Sequence, residues 1–182
     1  MQLKITLIES KPRVLRRVLV KDEMTLYQLN QVIQIAMGWT NSHLHLFEVD
    51  GEIYSLPEFE LDEWGEPVAN ERRIRLSTLN WKSKKKIRYD YDFGDNWRHE
   101  VVLEKRMAEE REVRYPKCIR GKRACPPEDV GGLPGYGYFL ESISDPTNEE
   151  HESMLMWVGG AFDPEYFSLD EVNAELWRTF RK

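Results

Sequence analysis

The chain has 182 residues and a net charge of −6, with 41% hydrophobic and 32% charged residues, a balance typical of a folded globular protein and not of a disordered one. No apolar run approaches the roughly 20 residues that a membrane-spanning helix needs, and the N-terminal stretch MQLKITLIES lacks the features of a signal peptide. The length predicts one domain, over residues 1–182, and we expect no membrane partner. Two cysteines are too few for a disulfide framework, so we expect the protein to lie in the reducing cytoplasm.

The charge is unevenly distributed along the chain. Residues 82–123 hold 14 basic and 8 acidic residues, or +6, which leaves 12 basic and 24 acidic residues, or −12, for the rest. The asymmetry predicts either one basic and one acidic side of the protein or, as we favour, pairing of the two sections with each other in the fold.

The first two predicted elements are the strands of a hairpin. Apolar and polar residues alternate over 3–7, as in a half-buried strand. The turn-like residues 10–13 follow, and a second strand is predicted over 14–20, with Arg16 and Arg17 in its middle.

A helix and a third strand complete the N-terminal third. Thr25 and Gln28 match the capping-box pattern of a helix start, and Gly38 marks the expected helix end. The strand over 44–49 ends at an Asp-Gly turn. The order strand, strand, helix, strand indicates a ββαβ, β-grasp-like unit.

The middle of the chain predicts a loop and three more strands. Residues 56–71 are acidic, with two prolines, and are interpreted as a surface loop that exposes Trp64 to a partner. Strands are predicted over 74–79, 86–93 and 97–103, and a Gly-Asp-Asn turn joins the last two into a hairpin.

Three helices are predicted after a Gly/Pro-rich loop. Pro134 is suited to open the first, and the pairs Thr147/Glu150 and Ser168/Glu171 match the capping box before the second and third. We therefore expect an α+β fold, with a mostly antiparallel sheet, an N-terminal ββαβ unit and C-terminal helices packed on the sheet.

Histidines suggest one kind of site. His43 and His45 are two residues apart, and in a strand that spacing places both rings on one face, which suits two ligands of one ion. His99 lies on another predicted strand, with Asp92 or Asp95 as an oxygen donor. This set predicts a metal-dependent hydrolase or nuclease; the alternative is that the histidines are structural. Apart from such a divalent metal we expect no cofactor.

Carboxylates suggest a second kind of site. Asp92, Asp95, Glu128 and Asp129 meet if the Gly/Pro-rich loop folds over the hairpin, and paired carboxylates in a dry cleft act as acid and base. The alternative is that they cap turns and accept hydrogen bonds from glycine amides.

Basic residues suggest a third kind of site, for nucleic acid. A run of cations at the start of the hairpin is flanked by aromatic residues, which suits phosphate contacts and base stacking. The run consists of Lys82, Lys84, Lys85, Lys86 and Arg88. The alternative is that a lysine-rich strand edge prevents sheet-to-sheet aggregation.

Some familiar catalytic motifs are absent from the sequence. The Asp-Phe-Gly tripeptide at 92–94 has neither the Gly-rich nucleotide loop nor the His-Arg-Asp loop of kinases. The glycines after Cys125 do not match a phosphate-binding loop, and there is no Gly-x-Ser-x-Gly elbow.

Four long motifs together resemble those of the plasmid pRiA4b ORF-3-like family. They are TLYQLNQVIQIAMGWTNSHLHLFEV, YDYDFGDNWRHEVVLE, CIRGKRACPPEDVGG with GYGYFLE, and FDPEYFSLDEVN, in this order. The resemblance covers nearly the whole chain, up to Asn173. It implies a single-domain α+β protein of bacteria and archaea, sometimes associated with mobile elements and linked to resolvase-like recombination proteins, with no established activity.

The chain has no recombinase serine-nucleophile motif, so that chemistry is not carried over. It also departs from the family pattern at two positions. Leu15 stands where the family often has Trp, and Asn30 stands where it often has His, so a ligand role for that helix position is lost here.

We predict a non-enzymatic binding or accessory module that recognises a protein or nucleic-acid partner. Its candidate binding residues form a polar pocket between the hairpin and the Gly/Pro-rich loop, and they are Asp92, Asp95, Trp97, Glu128 and Asp129. The alternative is the metal-dependent hydrolase or nuclease. The sequence leaves the oligomeric state open.

Overall fold

The computed structural model describes residues 1–64, 67–81 and 86–181, without the side chains of residues 63 and 64. Within these ranges the fold is α+β. The strands are β1 Gln2–Leu7, β2 Leu15–Leu19, β3 His45–Val49, β4 Glu52–Ser55, β5 Val68–Asn70, β6 Lys86–Tyr91, β7 Trp97–Lys105 and β8 Lys117–Lys122. The helices are α1 Leu26–Met37, α2 Gly132–Ser144, α3 His151–Trp157 and α4 Leu169–Phe180.

The strands form one sheet in the order β5-β4-β3-β6-β7-β1-β2-β8. All neighbours are antiparallel except β4 and β5, so the sheet is mixed but mostly antiparallel, as predicted. Side chains alternate between two faces of the sheet. One face is buried, and helix α1 lies over it, where Gln34 and Asn30 bond to the Tyr89 hydroxyl of β6.

Both predicted hairpins are present, but a self-contained β-grasp unit is not confirmed. The elements β1, β2, α1 and β3 follow one another along the chain. In the sheet, however, β6 and β7 lie between β3 and the β1–β2 hairpin. The β1–β2 hairpin therefore pairs with the β6–β7 hairpin in the sheet. The local sequence pattern does not specify this pairing.

Several local predictions were wrong. The segment over 56–71, predicted as a surface loop, contains strand β5, Val68–Asn70, and ends at the buried Glu71. The segment predicted as a strand over 74–79 contains a short 3-10 turn, Leu76–Thr78, and it is held by backbone bonds to the chain entering α1, such as Leu76 N to Met24 O at 2.8 Å. At α3, Glu150 takes the cap position without a side-chain bond, because the Thr147 hydroxyl bonds to Asp145 instead.

The starts of α1 and α4 follow the sequence, whereas α2 begins at Gly132, two residues before the predicted Pro134. At α1, Thr25 and Gln28 form the reciprocal capping box, and Gly38 ends the helix in the left-handed conformation that glycine tolerates best. At α4, the Ser168 hydroxyl accepts a bond from Glu171 N. The Trp64 side chain, expected as an exposed partner contact, lies outside the described residues.

Arg16 on β2 is a buried cation. Its residue is 1% exposed, and its guanidinium donates to the backbone carbonyls of Leu15, Ala36, Lys122 and Arg123 at 2.6–2.9 Å. The guanidinium also stacks on the Phe167 ring at 4.3 Å. One side chain thus joins β2 to the end of α1, to β8 and to the segment before α4.

Several ion pairs join the basic middle segment to the acidic remainder. Arg88 bonds to Glu48 at 2.6 Å, and Arg123 bonds to Glu165 at 2.6 Å. Among the described residues, no helix has the length and apolar character needed to cross a membrane.

Candidate functional site

The turn between β6 and β7 meets the loop that precedes α2. The Asp95 carboxylate accepts a hydrogen bond from Gly131 N at 3.2 Å. A Cβ atom on Gly132 would lie 2.7 Å from the Asp95 carbonyl oxygen, so the two backbones touch at a point that only glycine permits. The Gly/Pro-rich loop therefore folds over the hairpin.

A second close approach fixes the loop against its own helix. A Cβ atom on Gly135 would lie 1.9 Å from the Val130 carbonyl oxygen, whereas one on Gly137 would have no neighbour within 4 Å. Both glycines lie in α2, so they make a matched pair.

Replacing Gly135 by alanine is expected to destabilise the fold by about 2 kcal/mol or more, because the methyl group clashes with backbone that cannot rotate away. Replacing Gly137 by alanine is expected to be neutral or to add up to about 1 kcal/mol, because alanine favours helix. Chemical denaturation of both variants measures the difference. Equal stabilities of the two variants would show that the Val130 carbonyl oxygen does not pack closely against Gly135.

The Tyr91 hydroxyl links three segments of the chain by hydrogen bonds. It donates a short hydrogen bond to the Glu128 carboxylate and accepts one from Ser42 N at 3.1 Å. Glu128 also accepts bonds from the Thr40 backbone and hydroxyl. Burial, followed by the contact with Glu128, raises the pKa of the Tyr91 hydroxyl well above its usual value, so it stays protonated at neutral pH.

Directly beside these hydrogen bonds lies a cluster of three side chains, those of His43, Asp92 and Asp129. The His43 Nε2 atom lies 3.2 Å from Asp129 Oδ1 and 3.7 Å from Asp92 Oδ2. One ligating atom from each residue falls within 4.8 Å of the others. Asp92 is buried, His43 is partly exposed and Asp129 is exposed, so the group opens to solvent on one side.

The five pocket candidates do not share one cavity. Asp92, Glu128 and Asp129 lie around the Tyr91 and His43 contacts just described. Asp95 and Trp97 line a separate small cavity of about 130 Å³ on the other side of the turn. Trp97 is 1% exposed and stacks on Trp39 with ring centroids 6.1 Å apart. It is therefore a residue of the hydrophobic core.

The three histidines do not meet at one point. His45 is fully buried, with Nε2 3.1 Å from both oxygens of Glu71. His99 is fully buried too, and its Nδ1 lies 3.3 Å from the Tyr89 carbonyl oxygen. Burial lowers the pKa of His99 to about 4. His43 alone of the three lies with acidic side chains at the surface.

The strand over 86–91 offers few unpaired cations. Lys86 pairs with Glu100 at 2.7 Å, and Arg88 pairs with Glu48 and Asp90 at 2.6 and 3.0 Å. These pairs occupy the nucleic-acid candidates that the structure describes. The other three, Lys82, Lys84 and Lys85, lie outside the described residues.

An exposed aromatic surface lies on α2 and α3, next to the same loop. Tyr138, Met156 and Trp157 are 49%, 79% and 48% exposed. Trp157 borders two clefts: one of about 450 Å³ shared with Trp39, Pro126 and Glu128, and one of about 350 Å³ shared with Asp129, Tyr138 and Met154.

A larger cavity lies elsewhere, between the segment before β8 and α4. It has about 750 Å³ and is lined by Arg114, Lys117, Asp170, Trp177 and Arg181, among others. The Arg114 and Arg181 guanidinium groups lie 5.3 and 5.2 Å from the Trp177 ring. This cavity has mixed charge and is not part of the pocket predicted from the sequence.

Neither cysteine is placed as a nucleophile. Cys118 and Cys125 are both free and buried. Burial raises the pKa of the Cys125 thiol to about 11, so the thiol is protonated and unreactive at neutral pH.

Sequence reasoning missed three residues that matter here. Tyr91 was not among the predicted site residues, although its spacing from Tyr89 places both rings on one strand face. Glu71, the buried partner of His45, lies at the end of a segment interpreted as a surface loop. Trp157 was not among the predicted site residues, and its helical spacing gives no sign that it is exposed.

Comparison with known proteins returns consistent matches. The model of the family described as plasmid pRiA4b ORF-3-like protein matches residues 1–171. An uncharacterized protein of Sinorhizobium fredii, y4hQ, is 37% identical over 174 residues, which are 94% of this chain and 88% of that protein. The crystal structure of a protein of unknown function from Methanosarcina mazei Go1, MM3350, has a TM-score of 0.83 and 37% identity, and the match covers 93% of this chain and 94% of that one.

Proposed function

The chain belongs to the plasmid pRiA4b ORF-3-like family, and from that premise we propose that it is a non-enzymatic binding module for a basic segment of a protein partner. The recognition surface is the aromatic surface of α2 and α3 with the two clefts beside Trp157. The observation that carries this proposal is a half-exposed tryptophan between two clefts in a strongly acidic part of the chain.

The charge around Trp157 defines the partner. From Ala124 to Trp177 the sequence contains twelve Asp or Glu residues and no Lys or Arg. Clusters of exposed apolar side chains mark interaction surfaces, and tryptophan is enriched among residues that dominate binding energy. An acidic surface attracts a cationic partner and repels phosphate. A Lys- or Arg-rich segment with an apolar side therefore suits this surface better than nucleic acid does.

Three observations weigh against the alternatives. The described cations of the predicted nucleic-acid strand, Lys86 and Arg88, are already paired with carboxylates. The hydrolase hypothesis needs three converging histidines, and His45 and His99 are instead buried at separate points of the sheet. Glu128 is occupied as a hydrogen-bond acceptor for Tyr91 and Thr40, so it is poorly placed as a general base.

Peptide binding tests the proposal. The probe is a fluorescein-labelled helical peptide with lysine on one face and leucine on the other, and its binding is followed by fluorescence anisotropy. We expect saturable binding that weakens with salt, and no binding of the same peptide with glutamate in place of lysine. Trp157→Ala is expected to weaken binding roughly tenfold or more, since a central tryptophan typically contributes at least that much.

Trp177→Ala is the matched control, because Trp177 is exposed to a similar extent, 44%, but lies at the other cavity. It should leave peptide affinity unchanged. Met156→Ser, which alters a 79% exposed residue, provides a second variant that cannot fail through loss of the core. Equal binding by all variants would overturn the proposed surface. Salt-dependent binding of a labelled single-stranded oligonucleotide, without peptide binding, would replace the protein partner with nucleic acid.

A further inference from the structure

We propose that His43, Asp92 and Asp129 bind one divalent transition-metal ion at the surface between the β6–β7 turn and the loop before α2. This inference does not depend on the proposed partner surface. It also differs from the metal set expected from the sequence, because only one of the three histidines takes part.

The spacing of the three ligating atoms fits a single ion. Ligands held about 2.1 Å from a tetrahedral or octahedral ion lie roughly 3.0–3.4 Å from one another. His43 Nε2 and Asp129 Oδ1 are 3.2 Å apart, within that range. Asp92 Oδ2 lies 3.7 Å from His43 Nε2, and all three ligating atoms lie within 4.8 Å of one another, so small side-chain rotations would bring them to ligand spacing.

The atoms beside the ligands are fixed by hydrogen bonds. Ser42, Tyr91 and Glu128, each one residue before a ligand, are held together by the Tyr91 hydroxyl. Asp92 N also donates to Leu44 O at 2.9 Å, which ties the turn to the strand that follows His43. Binding therefore requires little ordering of the backbone, and this lowers its free-energy cost.

A second, independent observation concerns Asp92 itself. Its residue is 7% exposed. Oδ1 accepts bonds from Gly94 N and Asp95 N at 3.0 and 3.3 Å, whereas Oδ2 makes no hydrogen bond to any residue that the structure describes and points at His43. Within this largely buried side chain, Oδ2 is thus the oxygen left free to act as a ligand for a cation between Asp92 and His43.

The donor set selects the class of ion. One imidazole nitrogen and two carboxylate oxygens suit Zn²⁺, Mn²⁺, Fe²⁺ or Co²⁺, whereas Ca²⁺ and Mg²⁺ prefer oxygen ligands alone. Three protein ligands leave at least one position for water or for an anionic group of a bound molecule. The exposed side of the group, at Asp129, is where that position opens.

A second acidic group serves as an internal comparison. Asp22, Glu23 and Glu109 also bring three carboxylates together, but Glu109 pairs with Lys21 at 3.0 Å and the group has no histidine. Nothing in its surroundings points to a ligand, so we assign no site there. Glu109→Gln is therefore a suitable control substitution.

The test is calorimetric titration of ZnCl₂ and MnCl₂ into chelator-treated protein that has no histidine tag, with CaCl₂ and MgCl₂ as comparison ions. We expect one equivalent of transition metal to bind, with weaker or no binding of Ca²⁺. His43→Gln, Asp92→Asn and Asp129→Asn are each expected to weaken binding at least about tenfold. Glu109→Gln and His151→Gln should leave the affinity unchanged.

Two safeguards keep the result decisive. Asp92→Asn keeps the Oδ1 acceptor of the turn, and Asp129 is exposed, so Asp129→Asn leaves the core intact. The thermal midpoint should rise with one equivalent of metal in the unmodified protein and not in His43→Gln. No binding at millimolar metal, or equal binding by the three ligand variants and the controls, would overturn the site.

Discussion

Replacing Arg16 by leucine is expected to lower the free energy of unfolding by about 3 kcal/mol or more. Swapping a buried charged group and its partners for apolar residues is often neutral. Here, however, the partners are four backbone carbonyls on β2, α1, β8 and the residue after it, and no substitution at Arg16 removes them. Each buried carbonyl that loses its donor costs roughly 1–3 kcal/mol.

Lysine should substitute poorly at this position. The Arg16 guanidinium reaches four carbonyls from one planar group and stacks on Phe167, whereas an ammonium group is a point donor that cannot span the same acceptors. Arg16→Lys is therefore expected to keep less than half of the stability that Arg16→Leu loses.

Arg17→Leu is the matched control for Arg16→Leu. Arg17 is the next residue on β2 and points to the other face of the sheet, where it pairs with Glu104 at 2.8 Å in a partly exposed position. Loss of such a pair costs about 1 kcal/mol or less. Differential scanning calorimetry should show a drop of roughly 6–12 °C for Arg16→Leu and a much smaller one for Arg17→Leu. Equal drops would show that Arg16 has no special role.

The buried position of Arg16 was readable in the sequence. Val14, Val18 and Val20 share its parity along the second strand, and period 2 places all of them on the face that the fold buries. The pattern does not give the acceptors, because they come from α1 and from the end of β8, which tertiary packing brings together. The local pattern thus indicates the face but not the contacts.

The same limit applies at the candidate site. The carboxylates were expected to meet only if the loop folds over the hairpin, and the loop and hairpin do come together where Gly132 contacts Asp95. The pairing of His43 with His45 assumed that both lie in one strand. The strand begins at His45, so the alternation does not extend back to His43, and the two rings diverge towards the surface and the core.

Local signals alone define some elements and not others. The capping box and terminal glycine of α1 define that helix by themselves. Strand β8 carries a glycine at 121 and a register shift opposite Arg17, so its alternation is weak. Its place at the sheet edge depends on pairing with β2, and no local pattern encodes that pairing.

His99 is expected to make the protein sensitive to acid between about pH 6.5 and pH 4. Burial, with a smaller contribution from Arg16, lowers the pKa of this imidazole to about 4 in the folded protein, against about 6.5 in the unfolded chain. Above pH 6.5 neither state binds the proton. Below it, the unfolded chain takes up the proton first, so the free energy of unfolding falls as the pH falls and levels off below about pH 4.

The ring has little means of accepting this proton. Its Nδ1 atom donates to the Tyr89 carbonyl oxygen, and its Nε2 atom has no hydrogen-bond partner among the described residues. A proton on Nε2 would place a charge in the core between Trp39 and Tyr89, whose rings lie 5.4 Å from the imidazole. The neutral ring is thus the form that the fold accommodates.

Urea denaturation at pH 7 and pH 5, with the unmodified protein and His99→Gln, isolates this contribution. The unmodified protein should lose about 2 kcal/mol more than the variant over that interval, because only its unfolded chain gains a proton at position 99. His99→Gln is expected to be less stable at pH 7, so the difference in unfolding free energy between the two pH values, and not the absolute stability, is the quantity to compare.

His151→Gln, which alters a partly exposed histidine of α3, should keep the pH dependence of the unmodified protein. Parallel pH dependences for His99→Gln and the unmodified protein would mean that water or another hydrogen-bond acceptor reaches the Nε2 atom and that His99 titrates normally in the fold.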